Sequence, residues 1–210
     1  MIYELCHIRA TALNVKQTAE RCIQSARGNT FDSSLLGAWQ TEIGDLFQVI
    51  LLRSYPDVNR QLVAREQALT SQSEFAANYG GITVSLESFK KFPFLPDVTR
   101  VKAGKYFELR TYYLKPGGLQ PTLAAWEKAM QPAAEYTSHL VINMYALDGL
   151  PRITHLWAFE SLEERARLRE KYYSLKLWPP HGGPEQIAHA TNSILLPIVT
   201  NLIPSDAVAH

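Results

Sequence analysis

Net charge, cysteine and long apolar runs are all scarce in this chain, and each shortage excludes something. Its 21 basic residues stand against 20 acidic ones, so there is no positive excess to displace counterions from nucleic acid or to hold an anionic membrane. No nucleic acid and no membrane is expected as a partner. No run approaches the roughly 18 apolar residues of a membrane span. The opening "MIYELCHI" alternates at once, without the basic, apolar and cleavage regions of a secretory signal. The expectation is a cytoplasmic protein. Two cysteines, Cys6 and Cys22, are too few for a disulfide framework and read as small buried apolar side chains. The six histidines and two cysteines lack His-x-x-x-His or Cys-x-x-Cys spacing, no Gly-rich phosphate loop follows a strand, and no Gly-x-Ser-x-Gly elbow occurs. Neither a metal nor a cofactor is expected.

What the chain does contain is a restatement of itself. Laying Glu4 and Leu5 on Glu108 and Leu109, a shift of 104 positions (108 less 4), keeps register without a gap for most of the first half. Few identities survive, so the pattern carries the argument. "IYELCHI" and "YFELRTYYL" both alternate as strands. Val15, Ala19, Cys22 and Ala26 then form one helix stripe, and Leu119, Leu123, Trp126 and Met130 form its counterpart. Each half next shows a hairpin, turning near Gly44-Asp45 and at Asp148-Gly149, residues that tolerate positive φ. A second helix follows from Asp57 and from Ser161, the latter with Glu164 placed for a capping box. A fourth strand ends each half, "ITVSLESFKKF" and "IAHATNSILLP".

The order β-α-β-β-α-β predicts, in each half, a four-stranded antiparallel sheet with both helices on one face, the ferredoxin-like arrangement. One such sheet leaves its other face bare, so the two sheets are expected to pack face to face. The fold class is α+β, with residues 1–100 and 101–210 as the two repeats and a Pro-containing linker over residues 92–104. The unpaired strand edges of such halves favour a homo-oligomer.

"FELRTYYLKPGGL", continued through "ITHLWAFESLEERARLRE", resembles the NIPSNAP family. Its members carry a Tyr-Glu-Leu-Arg-x-Tyr-x-Leu-x-Pro-Gly opening and a His-Leu-Trp-x-Tyr strand running into a Ser-Leu-Glu-Glu-Arg helix. The resemblance is close over residues 105–197 and loose in the first half, where "LLRSY" stands in place of the His-Leu-Trp strand. It implies the dimeric α+β barrel superfamily, in which two ferredoxin-like units close their sheets around a cavity. That superfamily holds cofactor-free monooxygenases, haem-handling enzymes and plain binding proteins, so the fold does not choose the chemistry.

Alternation puts Glu108, Arg110 and Tyr112 on one face of their strand and Phe107, Leu109, Thr111 and Tyr113 on the other. Since the more apolar set suits the underside of helices, the polar set is expected inside the barrel, joined by His155 and Trp157. Two readings stand. Glu108 and Arg110 satisfy each other as a buried ion pair, with Trp157 as core and His155 as a neutral hydrogen-bonded histidine. Alternatively Arg110 anchors a carbonyl or anionic ligand beside Trp157, His155 acts as general base and Tyr112 polarises the carbonyl. In the first half the matched positions are Cys6, Ile8, Leu51 and Arg53, so the constellation is largely absent there, and Glu4 and Arg53 remain as pocket charges. His181, in "LWPPHGGP", is placed near a pocket mouth or in solvent, and "LEERARLREKYY" reads as a solvated helix face. Two functions are expected in competition: binding or conversion of a small aromatic or carbonyl compound between the sheets, or a non-catalytic scaffold acting through its surface.

Overall fold

The computed structural model describes residues 1–27, 32–70 and 82–198. The first half runs β1 (Ile2–Arg9), α1 (Val15–Arg27), β2 (Ser34–Ile43), β3 (Gln48–Tyr55), α2 (Val58–Thr70) and β4 (Thr83–Lys91). The second runs β5 (Tyr106–Leu114), α3 (Leu119–Met130), a single added turn α4 (Ala134–Thr137), β6 (Leu140–Ala146), β7 (Arg152–Phe159), α5 (Leu162–Ser174) and β8 (Ile187–Pro197). Both second helices start on a side-chain cap. Asp57 Oδ1 accepts from the Arg60 amide at 2.9 Å, and Ser161 Oγ accepts from the Glu164 amide at 3.1 Å. Gly44 and Gly149 take φ of +121° and +65° in the two hairpin turns, as the turn residues predict.

The strands close in the order β1-β3-β2-β8-β5-β7-β6-β4. Each half contributes four neighbours in ferredoxin-like order, β4-β1-β3-β2 and β8-β5-β7-β6. The two sheets join through one seam between β2 and β8, where Trp39 lies opposite Pro197, and another between β4 and β6, where Phe89 lies opposite Ala146. Closure therefore happens within one chain. Because both seams pair the outer strands, the strand-edge argument for a homo-oligomer loses its ground. Among the described residues no helix is long and apolar enough to cross a membrane.

The face assignment made from alternation is reversed. The barrel interior is filled by Leu5, Trp39, Leu52, Phe107, Leu109 and Leu156 with their neighbours, drawn from both halves, and the Trp39 and Phe107 rings meet across it at 5.3 Å. Glu108, Arg110, Tyr112, His155 and Trp157 point the other way, beneath the helices, as do Glu4 and Arg53. The physical reason is the supply of countercharge. Strands enclose the interior on all sides and bring no compensating ions, whereas α2 and α5 offer Arg65 and Arg165 to the buried carboxylates. Cys6 of β1 and Cys22 of α1 are both buried in the apolar layer between sheet and helix, as expected of small apolar side chains. The linker does more than connect: Val98 and Val101 pack against the barrel core, and the Val98 amide donates to the Tyr3 hydroxyl at 2.8 Å.

Candidate functional site

On the helix-facing side of β5, Glu108 is fully buried. Its Oε1 accepts from Arg110 Nε at 2.8 Å and from Arg165 Nη2 of α5. Burial would raise this carboxyl, but the bond from Arg165 and the charge of Arg110 outweigh it and hold it below the usual carboxylate range. The ion-pair reading of Glu108 and Arg110 is thus realised, with a third member that the sequence reading placed in solvent. Arg165, Leu168 and Tyr172 recur at i, i+3 and i+7, and Leu168 and Tyr172 are buried. That spacing within "LEERARLREKYY" was the available signal. Arg167, more exposed on the same helix, lies 3.7 Å from Glu135.

Arg110 has one more bond to give. Its Nη1 donates to the Tyr112 hydroxyl oxygen at 2.9 Å, so the Tyr112 proton remains to be donated elsewhere. Tyr112 lines a cavity of about 260 Å³ bounded by Leu114, Thr122 and Trp126, by Ile153 and Ala190 of the sheet, and by Trp178 to Pro180 of the loop after α5. The Trp178 ring meets Trp126 edge-on at 4.9 Å. The cavity lies between sheet and helix, not between the sheets. His181 is exposed and is not among the lining residues, although Pro180 and Gly183 beside it are.

His155 sits behind this wall, its ring 4.9 Å from Tyr112 and 5.1 Å from Trp126. Trp157 Nε1 donates to His155 Nδ1 at 2.6 Å. Burial first, then the charges of Arg110 and Arg169, lowers the His155 pKa well below the ordinary histidine value. The imidazole is therefore neutral, with its proton on Nε2. Its lone pair is occupied, which removes the basis for His155 as a general base; in this arrangement it is a donor. His155 Nε2, Glu108 Oε2 and both side-chain atoms of Asn143 are buried without a partner among the described residues. Asn143 lies opposite His155 across β6 and β7, a neighbour that the apolar run "LVINMYA" gave no reason to single out.

Glu4 and Arg53 join each other and not this site. Glu4 also accepts from Arg65 Nη2 at 3.0 Å, and Gln61 and the Tyr55 hydroxyl reach it at 3.4 Å. The carboxylate is satisfied inside the first half, and neither residue lines the cavity. Among the described residues no group of three or more His, Cys, Asp or Glu is placed to hold a metal ion.

A closed eight-stranded barrel of two ferredoxin-like halves, carrying a cavity beneath the helices of the second, defines an α+β barrel protein. An anthrone oxidase-like protein shares this fold, with a TM-score of 0.63 at 10% identity over 94% of this chain and 92% of its own. The NIPSNAP family model matches residues 107–200. The NipSnap homolog of Dictyostelium discoideum is 26% identical over 183 residues, 84% of this chain and 78% of that protein. Protein Atu4242 of Agrobacterium tumefaciens is 30% identical over 42% of this chain and 89% of its own, with a TM-score of 0.37. The second half of the chain is thus a NIPSNAP domain, and the chain is similar to curated NipSnap proteins over most of its length. It spans 61% to 64% of the length of the Drosophila melanogaster, Mus musculus and Danio rerio relatives that it matches.

Proposed function

We propose that this protein binds a small, largely aromatic molecule bearing an acceptor oxygen in the cavity between β5, β7, β8 and α3. The observation that carries the reading is Tyr112. Its oxygen is engaged by Arg110, its proton is uncommitted, and it stands in a wall otherwise made mostly of apolar, aromatic and proline side chains. Small-molecule sites have this composition, an apolar lining with few polar groups that set orientation. A carbonyl or phenolic oxygen on the ligand would accept from Tyr112, while Trp126 and Trp178 supply the aromatic contact. The anthrone oxidase-like neighbour contributes the fold alone to this reading, and its chemistry is not carried over.

The test is a matched pair of probes, an acetylnaphthalene and the corresponding ethylnaphthalene, followed through tryptophan fluorescence, since two tryptophans line the cavity. The ketone should bind about fivefold tighter than the hydrocarbon, the worth of one hydrogen bond, and Tyr112→Phe should erase that margin. Equal binding of the two probes, or no saturable quenching, would overturn the reading.

A further inference from the structure

A second cavity, of about 300 Å³, lies at the end of the barrel where the linker crosses it. It shares no lining residue with the cavity under α3. Its floor is apolar. Val141 and Ile142, both buried, belong to the barrel core, and Leu140, Met130 and Leu95 continue the surface.

The rim carries charge of one sign in excess. Asp97, Arg100 and Lys102 all line the opening. The Asp97 carboxylate is already matched, with Lys91 Nζ at 3.7 Å and the Tyr3 hydroxyl donating at 3.5 Å. The two cations are not. Lys102 Nζ donates to the Ser138 carbonyl at 2.7 Å and has no carboxylate partner among the described residues. Arg100 there has neither an ion pair nor a side-chain hydrogen bond. Burial also lowers the Lys102 pKa, a cost that an anion at the rim would relieve.

An apolar floor beneath two unneutralised cations matches a ligand with an apolar tail and a single anionic head. We propose that this cavity binds an amphipathic carboxylate, its chain lying on Val141, Ile142 and Met130 and its head group taking hydrogen bonds from Arg100 and Lys102. Charge-assisted bonds of this kind are the stronger class, and arginine offers a carboxylate two parallel donors. The volume sits at the lower end of ordinary ligand pockets, which selects a medium-length chain. This site is independent of Tyr112 and of the reading attached to it.

Isothermal titration of the full chain with octanoate and with octanol tests the assignment. Octanoate should saturate at one per chain and bind at least about tenfold tighter than octanol. The exposed double substitution Arg100→Gln, Lys102→Gln should bring octanoate down to the affinity of octanol while leaving thermal stability and the ketone probe's binding unchanged. Tyr112→Phe should leave octanoate untouched. Equal affinity for acid and alcohol, a double variant that binds octanoate as before, no saturation at millimolar octanoate, or a loss of octanoate binding in Tyr112→Phe would each overturn the proposal.

Discussion

Trp157 fixes the tautomer of His155. The indole N–H donates to Nδ1 at 2.6 Å, and a neutral ring so engaged carries its hydrogen on Nε2. Nitrogen NMR of ring-labelled protein should show that single tautomer, without titration between about pH 5.5 and 8. Trp157→Phe removes the donor and should yield a mixture of tautomers while leaving the ring uncharged.

The same histidine makes stability depend on pH with a definite sign. Its folded pKa lies well below the ordinary value, so below about pH 6.5 the unfolded chain takes up a proton that the folded chain refuses. Stability is complete above that pH and declines as pH falls, by up to about 1.4 kcal/mol per unit, until the folded ring also titrates. His7, lowered chiefly by burial, acts in the same window. Urea midpoints across pH 5 to 8 should therefore flatten partly in His155→Gln, and an unchanged slope would contradict the assignment. Glu108, also lowered, adds its own loss only at more acid pH, below about 4.3.

Breaking the Glu108 cluster should be costly. Glu108→Leu leaves Arg110, at 12% side-chain exposure, and Arg165, at 21%, without their shared carboxylate. Loss of one partner from a buried ion pair costs about 3 kcal/mol or more, which a denaturant midpoint will read. Glu108→Gln, which keeps the shape and one acceptor, should cost less.

Gly37 is required by its neighbour. An added Cβ would stand 2.3 Å from the Trp39 ring, inside the barrel, where that ring already meets Phe107. Gly37→Ala should destabilise by about 1–3 kcal/mol through overpacking, seen as a lower Tm with a retained fold.

Arg152 ties the narrower seam together. It donates to the Asp148 and Leu150 carbonyls and to the Asp148 carboxylate, lies 3.4 Å from Glu87, and covers the Phe89 ring. Phe89 to Lys91 pair across β4 and β6, flanked by one backbone bond on each side, from Leu147 to Ser88 and from Phe92 to Asn143. Arg152→Ala should raise amide exchange on β4 and β6 more than on β2 and β8, with about 3 kcal/mol lost in total.

Strand alternation told which side chains share a face, and in this respect Glu108, Arg110 and Tyr112 behave as read. It could not tell which face is inward, because a period of two is symmetric between the sides. The deciding information lay in the helices. Arg65 and Arg165 bring charge to the underside of the sheet, and a helix with an inward arginine calls for a carboxylate beneath it. The order of elements was legible because each has a local cause, Asp148-Gly149 for one hairpin and Ser161 with Glu164 for one helix. Trp178, by contrast, reaches Trp126 only through the tertiary path of a loop, and no local pattern announces it.

Closure within one chain has a consequence for how the molecule can change. In a two-fold symmetric dimer every substitution is made twice, so both copies of a site must keep or lose a feature together. Here Glu4 and Glu108 occupy equivalent places, yet their cations come from different positions, Arg53 and Arg65 for one, Arg110 and Arg165 for the other. Each half has reached charge balance by its own route. Freed from symmetry, one half can fill its helix layer with small side chains and serve as a rigid frame while the other keeps room for a guest.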